Sequence, residues 1–537
     1  MQKHLRNIFF YLFTGIILGF CYVAGYYLEA YDTIDFMNHA FYFQWLITSA
    51  FCSAIVFIIW KLQEKSSLLN SKQHPLLKKL ANLADINFPI WGYMIILLIC
   101  WLPTWLSIFP GAFTYDAYDE WLQMCTGNLT AHHPVLHVLL LGGLTEGFFQ
   151  LTGSYNLGIA LYTLIQMIFV SWVFGYTLQF LRKQKICGLL RLWALLFYCL
   201  SPVISLFSIC ATKDVIFSAG ALLFILFILQ LLQNPGHFLK NRKSGLLFIL
   251  SALITMIFRN NGLYIVTFTL IMIAFYLKAY LKSYAKIVIV VFISYLFITP
   301  GLNSLLQVTP GGVEEMLSVP IQQLARVHHY EKTDFSSEEL ELLYSILPEK
   351  NLNAYRISVS DFVKSGFNKE AFQLHKADFF RLWLKKGIEH PFTYMNSFLL
   401  GTVDFWYPHA IVDGYRDAYN RSSYYDYQVS KPGTEIILFP VLHDLYEYIS
   451  WNKEAQTLPG IFLILSPGWY FIMFFVTFMY LWYKKYYGKM LAFMVIVWNM
   501  FTVLLGPVAL VRYVLILFYA FPLLFFFLKD NRDLTFP

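Results

Sequence analysis

The sequence predicts an all-α fold: a polytopic transmembrane bundle of about 12 spans, carrying a mixed, mainly helical region outside the membrane. Three observations predict it. Hydrophobic residues make up 58% of the 537-residue chain and its mean hydropathy is +0.56, more apolar surface than a soluble interior of this length absorbs. Apolar runs of about 20 residues recur along most of the chain, each long enough to cross a bilayer. Lys and Arg fall in short connectors, which orients spans rather than gripping nucleic acid, and the net charge is a modest +7. The seven cysteines are odd in number and scattered, mostly in apolar runs (Cys21, Cys52, Cys100, Cys199, Cys210), so neither a disulfide framework nor a metal spacing is expected.

The first span, residues 8–28, follows a basic start with no convincing cleavage site and reads as uncleaved, with its basic end inside. An acidic connector, 29–35, leads to a second span at 43–62 and a loop holding Lys61, Lys65, Lys72, Lys78 and Lys79, which is cytoplasmic in character. A third span, 89–109, returns the chain to the outer face. Residues 134–152 are apolar, but the next run, 157–181, ends in Arg182, Lys183 and Lys185. Two full crossings would leave that basic cluster outside, so 134–152 is expected to dip in and return. Spans near 189–209, 215–232, 246–258, 263–277 and 287–306 follow, with basic inner connectors (Lys240, Arg242, Lys243; Lys278, Lys282, Lys286). From 309 to about 460 no apolar run of about 20 residues occurs, and the topology places this portion outside. Within it, residues 379–405 have helical apolar spacing broken at His390 and Pro391, as expected of a helix lying on the membrane surface. Three spans, 461–483, 490–505 and 508–528, close the chain. The expected organisation is thus a transmembrane core over 1–308 with an outer loop at 110–133, an outer region over 309–460, and closing helices with a short cytoplasmic tail over 461–537. No internal repeat of the kind found in many secondary transporters is evident.

One stretch stands out chemically. FPGAFTYDAYDEWLQMCTGNLTAHHP, residues 109–134, holds Asp116, Asp119, Glu120, His132 and His133 in a chain with only 13% charged residues. Carboxylates are costly inside hydrocarbon, so this stretch belongs at the membrane surface or in a wet cavity. Lys213 and Asp214, Arg259 with Asn260 and Asn261, Arg326, and Arg512 with Tyr513 are all expected on the same outer side. The acids suit proton acceptance from a hydroxyl. Arg offers phosphate a planar fork and Lys a point charge. Simpler roles stand beside these. Lys213–Asp214 can be a local pair capping the following helix, His132–His133 can open a helix, and Arg512 can be a snorkelling anchor. Asp116 and Asp214 are oxygen donors of the kind Mg²⁺ or Mn²⁺ takes, although nothing in the spacing requires a metal.

At these residues the sequence resembles the GT-C superfamily of polytopic membrane glycosyltransferases, whose large outer loop carries an acidic pair and then a His-Pro element opening the next helix. The matching elements are TYDAYDE (114–120), HHP (132–134) and, for a second acidic position, ATKD (211–214). More narrowly, PGAFTYDAYDEW, HHPVLH, TKDV, FRNNG, SVPIQQLAR, HPFTYMNSFLLGTVDFWYP and VRYV resemble a group of bacterial multi-pass proteins regarded as GT-C-like. The element here reads His-His-Pro-Val rather than a double proline, and two N-terminal spans precede the core. The resemblance implies a transferase that moves a sugar from a polyprenyl-phosphate donor to a cell-wall or surface glycan, at the extracytoplasmic face of the cell membrane. It implies Asp116 as general base with Asp119 and Asp214 as further catalytic acids. Lys213, Arg259, Arg326, Arg512, Tyr513, His132 and His133 would surround the lipid phosphate. No cofactor is required by it, though some relatives use a divalent metal. A flippase for lipid-linked sugars and a polysaccharide polymerase or ligase are the alternatives.

Overall fold

The computed structural model describes residues 2–69, 85, 87–411 and 432–529, and these are nearly all α-helical. Eight of the helices are long and apolar enough to cross a membrane, or nine if Gly188–Leu200 and Pro202–Ser208, bent by 54°, count as one broken span. This is fewer than the expected figure of about 12. Besides that broken pair, the expected spans not among the eight are 246–258, 263–277 and 490–505, whose helices Arg242–Ile257, Gly262–Tyr276 and Tyr487–Val503 have 16, 15 and 17 residues, and 461–483, where Pro467–Lys484 has 18. Val135–Thr152, expected to dip and return, is one unbroken 18-residue helix and counts among the eight.

The Lys213–Gln233 helix is the axis of the bundle. Every residue from Asp214 to Leu229 is buried, because Tyr155–Lys183, Arg242–Ile257, Tyr487–Val503 and Leu515–Ala520 pack around it. A helix apolar on all sides and enclosed by others needs no polar face. Leu281–Leu305 is the opposite case, with only Tyr284 and Val291 buried; its apolar surface is the kind a bilayer covers.

The two ends of the bundle differ. At one end Lys484 pairs with Glu64 at 2.8 Å, Lys529 donates to the Gln184 carbonyl at 2.7 Å, and Gln184 and Gln233 exchange amide hydrogen bonds at 3.0 Å. Lys484 belongs to one of the basic connectors expected from the sequence, and residues 70–84 of another lie outside the described residues. The Lys213–Gln233 helix starts at the other end, and the chemistry-bearing residues gather there.

The first two helices, Gln2–Tyr31 and His39–Leu69, meet through small residues. Gly15 and Gly19 on one face Ser53 and Ser49 on the other: a Cβ on Gly15 would lie 2.6 Å from the Ser53 nitrogen, and one on Gly19 would lie 2.7 Å from that of Ser49. Paired small-xxx-small motifs let helix backbones approach closely where lipid removes the hydrophobic drive to associate.

Residues 313–394 build a separate helical core. Ser318–Tyr330 lies at its centre, with Ile321, Leu324, Leu343, Leu352 and Phe379 wholly buried around it. The surface helix expected over 379–405 is divided into Lys376–Glu389, Pro391–Leu400 and Val403–Trp406. The first break falls at His390, where Pro391 begins the next helix, since proline lacks the N–H an interior position would use.

If Gly19 and Ser49 set the approach of the first two helices, Gly19→Leu overpacks the seam at a cost of about 1–3 kcal/mol. The thermal midpoint of the purified chain should fall, with Gly19→Ala intermediate. A midpoint unchanged in Gly19→Leu would show that the two helices do not pack along this seam.

Candidate functional site

Two short segments of identical construction lie side by side at the site end. Ala112–Phe113 and Cys210–Ala211 form a parallel two-stranded ladder in the register Ala112↔Cys210, Phe113↔Ala211. Each strand runs into Thr-x-Asp and then a helix: Thr114-Tyr115-Asp116 opens Tyr115–Thr126, and Thr212-Lys213-Asp214 opens Lys213–Gln233. Both threonines are N-caps, accepting from the Ala117 N–H at 3.3 Å and the Asp214 N–H at 3.5 Å. Threonine is a favoured cap, and aspartate in a first turn meets the positive end of the helix dipole. The paired register therefore brings Asp116 and Asp214 to equivalent positions on neighbouring helices. A repeat of five residues, 112–116 and 210–214, is too short to stand out in the sequence.

Three cations link the acids. Lys213 Nζ lies 2.8 Å from Asp116 Oδ2 and donates to His133 Nδ1 at 2.8 Å, with Glu120 Oε1 at 3.9 Å. Arg512 spans both aspartates, 3.5 Å from Asp116 Oδ2 and 3.5 Å from Asp214 Oδ2. Arg259 pairs with Asp214 Oδ1 at 3.1 Å. Tyr513 supports the arginines: its ring centre is 4.4 Å from the Arg259 guanidinium and 5.5 Å from that of Arg512. Its carbonyl accepts from Arg259 at 3.4 Å and from Asn499 at 3.2 Å. The turn holding Arg259 is tied down by Asn261, which donates to Thr502 Oγ1 at 2.8 Å. It is also closed tightly at Gly262, where a Cβ would come within 1.8 Å of the Thr255 carbonyl oxygen.

A second relay extends from the first. His133 Nδ1 accepts from Lys213, so Nε2 carries the proton and faces Asp119 Oδ2 at 3.0 Å. Behind it Glu120 pairs with His137 Nδ1, His137 Nε2 meets the Tyr162 hydroxyl at 2.6 Å, and that hydroxyl donates to Gln166 at 3.1 Å. Gln166 donates to the Ser208 and Cys210 carbonyls at 3.0 and 2.8 Å, which anchors the relay to the second strand. His132 stacks edge-on against His133, ring centroids 4.7 Å apart.

The structure thus brings together Asp116, Asp119, Asp214, Lys213, Arg259, Arg512, Tyr513, His132 and His133 of the expected site residues. Arg326 is the exception. It bonds the Tyr355 hydroxyl at 3.1 Å and the Asp32 carbonyl at 3.2 Å, inside the helical core of residues 313–394. Its residue spacing on Ser318–Tyr330 puts it on the face that packs inward. His137, Tyr162 and Gln166 were not read as site residues because they sit in apolar runs. Spacing carries a signal for Glu120, which follows Asp116 by four on the same helix face, whereas His133 precedes the Val135–Thr152 helix that holds His137.

Asp214 and Arg512 have side chains 0% and 2% exposed, Asp116 13%, and Asp119 51%. Burial alone would raise the Asp116 pKa, but Arg512 and Lys213 hold it far below the ordinary carboxylate range. The hydrogen bond from His133 lowers that of Asp119. Burial opposes ionisation of Glu120, and His137 and Lys213 outweigh it. Burial and the neighbouring His133 lower the pKa of His132. Lys213 and Arg512 both face Asp116 Oδ2, while Arg259 and Arg512 face the two Asp214 oxygens. Among the described residues, groups able to hold a metal occur elsewhere, at Glu331, Asp334 and His390 and at His443, Asp444 and Glu447.

Residues 121–534 match the model described as "Family of unknown function (DUF6020)". The chain belongs to that family. No curated protein and no solved structure matches it. The DUF6020 match contains His132, His133, Lys213, Asp214, Arg259 and Arg512 and begins just after Glu120, so the first Thr-x-Asp turn lies ahead of it.

The carboxylate shifts set the pH dependence of stability. Asp116, Asp119 and Glu120 stay ionised to lower pH in the native chain than in the unfolded one. They stabilise fully above the unfolded carboxylate range of about 4, and lose that contribution as pH falls through their native values. The thermal midpoint should therefore decline below about pH 5. Lys213→Met, which lets the Asp116 pKa move back up, should lower the midpoint at pH 7 and flatten the acid decline. A midpoint that rises on acidification would contradict the ion-pair network.

Proposed function

We propose that this DUF6020 protein is a GT-C-type membrane glycosyltransferase that takes a sugar from a polyprenyl-phosphate carrier and passes it to a glycan acceptor outside the cytoplasm. The observation that carries the reading is the Asp116–Lys213–Arg512 junction. There a carboxylate able to take a proton and two cations able to receive a phosphate meet within 3.5 Å. Exposure separates the candidate acids. Asp214 is sealed at 0% and serves as the counter-ion that holds Arg259 and Arg512. Asp119, half exposed, orients His133. Asp116 is the carboxylate a substrate can reach while still beside the cations.

In the proposed reaction the acceptor hydroxyl gives its proton to Asp116 and its oxygen attacks the anomeric carbon. The bond from that carbon to the phosphate oxygen breaks, and the electron pair leaves with the phosphate toward Lys213, Arg512 and Arg259. A carboxylate beside two cations is a weak base. When the donor phosphate draws Lys213 to itself, Asp116 loses its ammonium partner and its basicity rises at the moment it is needed. Binding energy is thus converted into base strength.

The test is purified protein in liposomes with labelled polyprenyl-phosphate sugar and a cell-wall glycan acceptor. Asp116→Asn should lower transfer by about 10²–10⁴-fold while donor binding persists, and Lys213→Met should weaken donor binding. Full turnover in Asp116→Asn removes the base from the scheme. Donor crossing the bilayer with no covalent change would make the protein a flippase instead.

Sidedness is tested by two natural thiols. Cys125 lies exposed on the Tyr115–Thr126 helix, and Cys187 lies exposed beside the basic Arg182–Lys185 connector. An impermeant maleimide added to intact cells should label Cys125 and reach Cys187 only after permeabilisation. Labelling will be slow, because burial and Glu146 push the Cys125 thiol up to about 11. The reverse order would put the site in the cytoplasm.

A further inference from the structure

Val135–Thr152 has the length and composition of a span, yet both of its ends lie at one end of the bundle. Ahead of its start, His133 accepts from Lys213 at 2.8 Å, at the head of the axial helix. At its finish only Gly153 and Ser154 separate it from Tyr155–Lys183. That next helix also begins at the site end. Asn156 exchanges hydrogen bonds with Thr434 at 2.8 and 2.9 Å, and Ile436 pairs with Phe109, just ahead of the first strand. Thr163 then donates to the Pro110 carbonyl at 2.9 Å, and Gln166 to that of Cys210 at 2.8 Å. Only its last turn, Arg182 and Lys183, reaches the basic end, where Lys529 bonds the Gln184 carbonyl. A helix that starts and finishes at one end of the bundle has not crossed it.

Packing gives its slope. His137 meets Tyr162, the Gly158 backbone lies so close to Leu144 and Thr145 that a Cβ would come within 2.7 Å, and Phe149 stacks on Tyr155 with ring centroids 3.8 Å apart. Residues 137–149, about 18 Å of helix, are thus matched by residues 155–162, about 10 Å, so the helix runs oblique to its neighbour. Thr163 and Gln166 mark the level of the two strands, and residues 155–162 lie beyond it. From that level the 21-residue axial helix, about 31 Å long, covers the hydrocarbon thickness down to the basic end. Its own faces differ. Val135, Val138, Gly142 and Thr145 are buried. Leu139, Gly143, Gly147 and Leu151 follow at four-residue spacing on the other face. Leu151 is 81% exposed, and among the described residues nothing lies within 4 Å of a Cβ placed on Gly143 or Gly147.

We propose that Val135–Thr152 is a surface helix whose open face rests in the lipid leaflet at the site end. An apolar helix lying where the spanning helices end meets the boundary between headgroups and acyl chains. It carries no Lys or Arg, so its attachment comes from apolar burial and needs no anionic lipid. This placement puts the ion-pair network at headgroup level, where an amphiphile resident in the leaflet reaches it sideways. The topology does not depend on the transferase reading.

The experiment uses the full chain in phosphatidylcholine nanodiscs, with nitroxides attached singly at Leu139→Cys, Gly143→Cys, Gly147→Cys and Leu151→Cys in a Cys125→Ser, Cys187→Ser background. Power saturation with oxygen and a water-soluble nickel chelate should place all four within about 10 Å of the headgroups. A spanning helix would instead put Gly143→Cys near the bilayer centre, about 15 Å deep. In intact cells, Leu151→Cys in a Cys125→Ser chain should take an impermeant maleimide from the face at which the parent chain is modified at Cys125. A nitroxide at the bilayer centre, or Leu151→Cys modified from the face of Cys187, would overturn the proposal. Nitroxides that meet only water, or that both relaxants fail to reach as under a second copy of the chain, would overturn the lipid contact. Asp116→Asn should leave the depths unchanged, so loss of transfer and failure of this topology are separate results.

Discussion

Burying charge in a bundle this apolar is possible only if the charges answer one another. Four acids (Asp116, Asp119, Glu120, Asp214) and three cations (Lys213, Arg259, Arg512) meet at one end of the helices, and most are nearly sealed from water. An isolated ion there would cost several kcal/mol, and removing one partner of a buried pair exposes that cost. Local features otherwise hard to explain serve this requirement. The two-residue ladder aligns the Thr-x-Asp turns, the Asn261–Thr502 bond fixes Arg259, and the Tyr513 ring and carbonyl back the arginines. A network of this kind is weak evidence for stability as such; its upkeep points to use.

Legibility in the sequence followed rarity. Charged side chains are few, so those near the ends of apolar runs could be picked out one by one, and nine of the ten singled out for the site do converge. Arg326 lies apart from them, because its place in the sequence says nothing about the separate helical core into which it packs. His137 and Tyr162 were hidden for the opposite reason: a polar residue inside an apolar run looks like a satisfied core residue until its partner is seen across the bundle. Against about 12 expected spans, eight or nine helices among the described residues are long and apolar enough to cross a membrane, and Arg242–Ile257, Gly262–Tyr276 and Tyr487–Val503 are apolar but shorter. The Gly15–Gly19 and Ser49–Ser53 pairs were likewise written plainly in the sequence, but either pair alone is common, and only their facing gives them meaning.

The two Thr-x-Asp turns also show how one local design yields two different acids. Caps, register and helix position are the same, yet Asp214 opens the wholly buried axial helix while Asp116 opens a short helix at the rim. Surroundings assign their roles. On the proposed reading the sealed carboxylate facing two arginines is a fixed counter-ion, and the partly open one facing a lysine exchanges that partner for a ligand. Lysine suits an exchangeable position because it binds as a point charge on a flexible stem, while arginine's planar fork suits a fixed one.

Charge balance carries the proposed chemistry one step further. With three cations against four carboxylates, the site already holds an excess of one negative charge, and an anionic phosphate would add to it. Lys213 is the shared partner, with its ammonium 2.8 Å from Asp116 Oδ2 and 2.8 Å from His133 Nδ1. On the proposed reading the phosphate takes Lys213 from both, so a single movement of Lys213 frees the base and brings a cation to the incoming charge.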